Sequence, residues 1–239
     1  MIFSPPPRNL RAELLDLDEA PFEEVRDSLR DVQRVNQYLS GYRVLLHHIA
    51  GFMEPADRPL TILDAATGSA DQPIAVVRWA RKIGQPIQIT AIDINSKMLD
   101  FAREEARAYP EIRFVQGDVL NLPFKPYSFD VVINSLALHH FTRDDAVAQL
   151  KGFSRLARRG VIVNDLHRSR IAHAAIFLLT RLLTQNRLTR YDAPVSVMNA
   201  FTPDELRAMA VAAGWQQFEV HRHFPYRIAL VEKKVEPGA

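Results

Sequence analysis

The sequence predicts an α/β fold, a doubly wound sheet that is mostly parallel. Apolar runs that end in an acid recur along the first half of the chain, closing on Asp64, Asp93 and Asp118. These acids stand 29 and 25 residues apart, each the length of one strand plus one helix. The stretch after Asp64, Ala65-Ala66-Thr67-Gly68-Ser69-Ala70, holds only small residues, so a ligand can approach its backbone closely. Three carboxylates therefore fall at the carboxyl ends of adjacent parallel strands, the edge where open α/β sheets bind ligands. The turn is not a pyrophosphate loop. It lacks G-x-G-x-x-G, having only Gly68 where a glycine is expected, and Asp64 would repel an anion. A ligand without phosphates is expected.

Taken in order, residues 1–19 are Pro-rich and then acidic and read as a loose arm. Residues 22–50 are helical in pattern, with Val25, Leu29, Val32, Val35 and Leu39 at three- and four-residue steps. A break at Ser40-Gly41 gathers Asn36, Tyr38, Tyr42 and Arg43; the helix pair reads as a cap on the sheet or as a source of ligand contacts. Ile62 and Leu63 form the first strand, closed by Asp64, and residues 74–83 the helix behind the turn. Strand two covers residues 87–94, ending in Asp93, and strand three residues 112–119, ending in Gly117-Asp118. Between them residues 96–109 form a helix capped by Asn95 or Ser96, with Met98, Leu99, Phe101, Ala102 and Ala106 inward.

Strand four starts near Asp130 and ends at Asn134-Ser135, followed by Leu138-His139-His140-Phe141. Thr142 caps a helix through Leu156, and Arg155, Arg158 and Arg159 read as its dipole-complementing end, stopped by Gly160. Residues 161–165 are strand five. Residues 171–183 are apolar nearly all round and residues 184–194 basic and polar. Thr202-Pro203-Asp204-Glu205 is a capping box that opens a helix to about Ala213, stopped at Gly214. Residues 215–223 and 226–232 form a terminal hairpin, and the tail KKVEPGA is expected to fray.

At 239 residues and 47% hydrophobic content, the chain suits one domain with an accessory layer. A net charge of +2 is too small for dedicated nucleic-acid binding, although the sequence pI is about 9.0. Cysteine is absent, which excludes disulfides and thiolate metal sites and fits a reducing cytoplasm. No run of 18 uncharged apolar residues occurs and the N-terminus lacks a leader's apolar core, so a soluble cytoplasmic protein without membrane insertion, monomer or homodimer, is expected. Of the eight histidines, His47, His48, His221 and His223 read as surface or half-buried structural residues. Neither H-E-x-x-H nor paired Cys/His spacing occurs, so no metal is expected. His139 and His140 differ, because they follow strand four at the edge that carries the three acids.

Across residues 60–165 the segments TILDAATGSAD, IQITAIDI, IRFVQGDV and VVINSLAL resemble, in order, the motifs of the class I S-adenosylmethionine-dependent methyltransferases. The resemblance implies a Rossmann-like seven-stranded sheet with an antiparallel last strand. An N-terminal helical cap (residues 1–59) would precede a methyltransferase domain (residues 60–239) with a helical lid insertion at about 167–200. It implies S-adenosylmethionine as cofactor: Asp64, Ala66 and Gly68 at its methionine end, Asp93 on the ribose hydroxyls, and Asp118 on the adenine amine. Ile94 and Val119 would flank the adenine, Asn134 would line the site, and Arg43 is the candidate partner of the methionine carboxylate. A carboxylate's two acceptor oxygens suit a vicinal diol, and another suits an exocyclic amine. The family usually carries G-x-G-x-G where this chain has Ala66, Gly68 and Ala70. Either these alanines need no positive φ, or each carries about 1–2 kcal/mol of strain.

The implied reaction is methyl transfer to a small, largely apolar or aromatic molecule, such as a natural product, most simply onto a hydroxyl. His139 or His140 would then be the general base, Asp165 would orient the imidazole, and His167 is the reserve candidate. Residues 171–183 would close over the acceptor as a lid, or serve as an ordinary core or dimer-interface helix. C-methylation of a quinone-like ring is the alternative, encouraged by a similarity to the ubiquinone/menaquinone methyltransferases. A cofactor-binding module without catalysis is the non-enzyme reading. Asn134-Ser135-Leu136-Ala137 stands where methyltransferases of base amines carry N/D-P-P-Y/F, which argues against methylation of nucleic-acid bases.

Overall fold

A computed structural model of the chain describes residues 5–17, 19–53 and 58–234. Its strands are β1 (Leu60–Ala65), β2 (Ile87–Asp93), β3 (Ile112–Gln116), β4 (Phe129–Ser135), β5 (Ala157–Leu166), β6 (Phe218–His223) and β7 (Arg227–Lys233). They form one sheet in the order β3-β2-β1-β4-β5-β7-β6. β7 runs antiparallel to both its neighbours and the other pairings are parallel, as expected. β1 and β4 are buried almost throughout, because helices cover both faces.

The helices are α1 (Phe22–Tyr38), α2 (Gly41–Ala50), α3 (Asp71–Ile83), α4 (Ser96–Glu105), α5 (Arg143–Leu156), α6 (Arg170–Leu183), α7 (Arg187–Asn199) and α8 (Pro203–Ala212). One face packs Leu150, Phe153, Leu206, Met209 and Trp215 from α5, α8 and the loop beyond. The other packs Leu45, Ile49, Val76 and Val77 from α2 and α3. The break expected at Ser40 is there, with Ser40 left-handed at φ 67°. The Asn95 cap and the Thr202 capping box also form. Among the described residues no helix is long and apolar enough to cross a membrane.

Four local expectations change. α4 stops at Glu105 rather than Tyr109, because Pro110 disfavours a helical residue before it. β3 stops at Gln116, since the Gly117 amide turns to the Asp93 carbonyl (2.9 Å) and Asp118 caps the Leu120 amide (2.8 Å). The basic, polar stretch after α6, read only as part of the helical insertion, is a separate helix, α7, capped by Asn186. Arg158, Arg159 and Gly160 do not end α5; they lie in β5, which starts at Ala157.

Gly160 is needed for close approach: an added Cβ would stand against the Glu232 carbonyl and 2.7 Å from the Phe52 ring. Residues 5–17 are not a loose arm either, because the Leu14 and Leu15 amides donate to Asp192 of α7 (2.7 and 3.1 Å). Residues 1–4 and 18 of that arm, and residues 235–239 of the tail expected to fray, lie outside the described residues.

Overpacking at Gly160 should make Gly160→Ala destabilising by about 3 kcal/mol or more in urea unfolding. Gly152 lies inside α5 with open space around its Cβ position, so Gly152→Ala should stabilise by about 0.5–1 kcal/mol. Equal effects of the two substitutions would contradict this packing.

Candidate active site

The turn after β1 is held under strain. Ala66, Gly68 and Ala70 all have positive φ (61°, 53° and 58°), so the two alanines sit where glycine is favoured. Two bonds pin the loop to β2: the Thr67 amide donates to the Ile92 carbonyl (3.0 Å) and the Gly68 amide to Asp93 Oδ2 (2.8 Å). Asp93 Oδ1 takes the Asn95 amide (3.0 Å). Asp64, buried at the end of β1, is pushed up to about 7 by burial and, less, by Asp71 and Asp93. Asp71 opens α3 and takes hydrogen bonds from Asn36 Nδ2 (2.7 Å) and the Tyr42 hydroxyl (3.0 Å), so the helical cap is fastened to the turn.

At the ends of β4 and β5 lies a buried charge pair. His139 forms part of a 3-10 turn (Leu138–His140) after β4, and Asp165 is near the end of β5. Asp165 Oδ1 is 2.6 Å from His139 Nδ1, and Oδ2 accepts the His139 amide (3.1 Å). Nε2 faces the N-terminal arm, with Glu13 Oε1 at 3.5 Å. Burial alone would lower the His139 pKa, but Asp165 and then Glu13 outweigh it and raise it to about 10. Asp165 is held below the usual carboxylate range, His139 outweighing the burial that would raise it.

The arm is anchored over this pair. Arg8 donates to the carbonyls of His139 (2.9 Å), Phe141 (2.8 Å) and Asn199 (2.5 Å), and Ser196 of α7 donates to Glu13 (2.6 Å).

The structure brings Asp64, Ala66, Gly68, Asp93 and Asn134 together at the carboxyl edge. Asn134 reaches across from β4 to donate to the Ala65 carbonyl (2.8 Å). Asp118 and Val119 follow β3, one half-buried and one buried, while Ile94 is exposed beside them. Of the two candidate bases, His139 is the one paired with Asp165. His140 stacks on it (4.4 Å between centroids), is exposed, and binds Asp16 through Nδ1 (2.8 Å). His167 lies just beyond β5, its pKa lowered by burial, Arg222 and Arg168. Arg43 is exposed and donates to Ser40 Oγ (3.0 Å).

The buried cation at this edge is instead Arg227, the first residue of β7. It donates to Asn36 Oδ1 (2.8 Å) and is lowered to about 10 by burial, against Asp165 and Asp71. Sequence reasoning missed Arg227, Asp71 and Glu13; an arginine heading the apolar strand RIALVEK was a signal for the first. Phe177 and Leu178 of α6, the helix expected to act as the lid, are exposed. α7 is the insertion helix that reaches the arm.

Several buried polar atoms on this edge have no partner: Asn134 Oδ1, Ser135 Oγ, Asn164 Oδ1, both amide atoms of Gln72, and Arg227 Nη1. Unpaired buried polar atoms in such number at one edge are what a polar ligand would satisfy. A cavity of about 280 Å³ opens between the arm, α1 and the start of α4, lined by Leu15, Phe22, Val25, Leu29, Met98 and Phe101.

With this geometry in place, comparison with known proteins assigns the segment that carries the turn and the three acids. Residues 62–160 match the methyltransferase domain family. The demethylmenaquinone methyltransferase of Staphylococcus epidermidis is 27% identical over 158 residues, 64% of this chain and 63% of that protein. The chain thus spans just under two thirds of that relative's length. The plantazolicin methyltransferase BpumL, solved with SAH, superposes with a TM-score of 0.67 at 12% identity, covering 92% of this chain and 93% of that one. Human N-acetylserotonin methyltransferase, solved with SAM, gives 0.65 at 16% identity, covering 95% and 60%. The fold is that of the class I S-adenosylmethionine-dependent methyltransferases. Asp165, just beyond the matched residues, completes the rim with His139.

If the turn is strained, Ala70→Gly should stabilise the fold by roughly 0.5–1 kcal/mol, strain relief of about 1–2 kcal/mol exceeding the added unfolded-state entropy. A loss of stability in urea unfolding would refute the strain. The His139 pair has its own pH signature. A histidine raised from 6.5 to about 10 stabilises fully below pH 6.5 and loses that contribution as pH rises toward 10. The unfolding free energy should therefore decline between pH 7 and 10 in the native chain, and decline less in His139→Gln.

Proposed function

We propose that the protein transfers a methyl group from S-adenosylmethionine to a small, largely apolar or aromatic acceptor, onto a hydroxyl oxygen. The observation that carries this reading is the strained Ala66–Ala70 turn, tied to Asp93, within a matched methyltransferase domain. The residues present suit the cofactor. Asp93 spends one acceptor site per oxygen on the Gly68 and Asn95 amides and keeps others for two ribose hydroxyls. Asp118 is at hand for the adenine amine, with Ile94 and Val119 flanking. At the methionine end, Asp64 would hold the ammonium, and Arg227, with one unpaired guanidinium nitrogen, would suit the carboxylate better than the exposed Arg43.

When bound, the cofactor supplies a methyl carbon that an acceptor lone pair can take in one in-line displacement. Orientation is then most of the catalytic work, and a hydroxyl acceptor must also lose its proton. His139 takes that proton at Nε2, while Asp165 holds Nδ1–H and fixes the tautomer. Flanked by two carboxylates the imidazole stays protonated and cannot act as a base. The acceptor hydroxyl would therefore displace Glu13 from Nε2, the Nε2 proton leaving with the Glu13 carboxylate, so that the neutral ring can accept the hydroxyl proton as the methyl is transferred. Arg8 and α7 hold the arm that must give way.

A second reading, C-methylation of a quinone-like ring, is favoured by the name of the Staphylococcus relative. The same His139–Asp165 pair would deprotonate a ring hydroxyl and leave the ring carbon nucleophilic. Incubation with labelled cofactor and a panel of phenols, quinols and glycosides, followed by identification of the methylated atom, separates the two readings.

Asp93→Ala should cost about 1.5–3 kcal/mol of cofactor affinity by calorimetry. Unchanged affinity would exclude the ribose assignment, and no binding by the native chain would exclude the enzyme reading in favour of a catalytically silent module. His139→Ala should lower turnover by roughly 10²–10⁴ with cofactor affinity intact. Because Glu13 raises the His139 pKa in the free enzyme, Glu13→Gln should move the acidic limb of the kcat/KM–pH profile to lower pH. An unmoved limb would mean that His139 is not the titrating base.

A further inference from the structure

Four histidines that the proposed reaction does not use converge between α2 and β6. His47 and His48 are consecutive near the end of α2, and His221 and His223 alternate along β6, the outermost strand. The His48 ring lies 5.0 Å from His47, 4.8 Å from His221 and 5.1 Å from His223, centroid to centroid. His47 and His221 each stand just over 6 Å from His223, at 6.1 and 6.2 Å. His48 and His223 point their Nε2 atoms at one another across 2.9 Å.

Imidazole nitrogens about 2.0–2.1 Å from a tetrahedral zinc ion lie roughly 3.3 Å apart, with ring centroids roughly 5 Å apart. The five centroid distances are within about an ångström of that spacing, but only the His48 and His223 nitrogens already stand at ligand distance, so the His47 and His221 rings must turn toward them to complete a site. Glu219 accepts a hydrogen bond from His221 Nε2 (2.9 Å), the kind of outer carboxylate that commonly orients a metal-bound imidazole.

We propose that His48, His221 and His223, with His47 as fourth ligand, form a binding site for a divalent ion of the zinc type, which clamps α2 to β6. Packing gives no reason for this set. His47 is exposed, the other three are half-buried, and the His48–His223 hydrogen bond accounts for only two of the four. All-nitrogen donors favour zinc, nickel or copper over magnesium or calcium. Arg43 and Lys233 face the cluster and oppose a dication, while Glu219 offsets one of these charges.

The clamp would act on the cofactor turn from outside. α2 carries Tyr42, which donates to Asp71, and Gly41, whose carbonyl takes the Asn164 amide (3.2 Å).

The test is titration of the full, chelator-stripped chain with Co²⁺ followed by visible absorption, and with Zn²⁺ followed by calorimetry. One equivalent should bind, Co²⁺ should give the intense bands of a tetrahedral site, and saturating Zn²⁺ should raise Tm. His48→Gln and His223→Gln should each weaken binding by about 10–100-fold, while His139→Gln should leave it unchanged. The last variant separates this site from Glu13, His139 and His140, whose ligand-type atoms also gather within 4.8 Å at the active edge. If His48→Gln fails to fold by circular dichroism, His47→Asn combined with His221→Asn must show the same loss. No binding at millimolar ion, binding retained in the cluster variants, or binding lost in His139→Gln would overturn the proposal.

Discussion

Asp165 must stay charged where no water reaches it, and much of the active edge is arranged to meet that demand. Its two oxygens take the His139 ring, the His139 amide and the Leu166 amide, with the Arg227 guanidinium near enough to add its charge. A buried carboxylate left without such partners would cost several kcal/mol, so the β4–β5 rim cannot relax one member without disturbing the rest. The same bonds set the chemistry. With Nδ1 fixed on Asp165, Nε2 has one direction left, and the structure fills it with Glu13 from the arm.

The second constraint is strain at the same edge. Ala66, Ala70 and Leu136 all hold positive φ where a side chain makes that unfavourable, each at the exit of β1 or β4. Strain of about 1–2 kcal/mol per residue persists only where neighbouring bonds over-determine the backbone. Here they do: Thr67 and Gly68 amides bind β2, and the Leu136 amide binds the Asn164 carbonyl (2.9 Å). The unpaired polar atoms of Gln72, Asn134, Ser135 and Asn164 lie between these strained exits. An edge that keeps both strain and unmet hydrogen bonds gives up stability to hold a shape complementary to something polar.

How much of this was legible in the sequence follows from the range over which each signal acts. Strands buried on both faces write themselves as apolar runs, and each run here ends in the acid that the fold uses, so Asp64, Asp93 and Asp118 could be placed from spacing. His139 and Asp165 were legible as two residues on one rim, but choosing His139 over His140 needed the 3-10 turn that aims one ring inward and the other at Asp16.

Glu13 could not be read at all. Its partner lies more than a hundred residues away, and nothing local distinguishes an acidic arm that docks from one that does not. α7 could not be told apart within the insertion because its inward face mixes Leu188, Pro194 and Val197 with Thr189, Asp192 and Asn199, the polar three buried through hydrogen bonds, which blurs the apolar period. Gly160 misled for a related reason. A glycine after three arginines suggests a helix stop, whereas here it marks the closest passage of β5 to β7 and Phe52.

The arm links these constraints. Glu13 is buried, and its carboxylate is matched on two sides, by the Ser196 hydroxyl and by an imidazole that burial alone would leave neutral. The raised His139 pKa rests first on Asp165 and then on Glu13, so moving the arm weakens the hold on the ring proton without abolishing it. On the proposed function, an acceptor entering here would separate the arm from the ring and leave Asp165 as the only counter-charge beside His139. That shift favours release of the proton from Nε2 at the moment a hydroxyl is present to exchange with it. The arm's closed position and the base's readiness are thus opposite states of one ion pair, and the bonds from Arg8 and Asp192 that hold the arm set how much acceptor binding energy is needed to pass from one to the other.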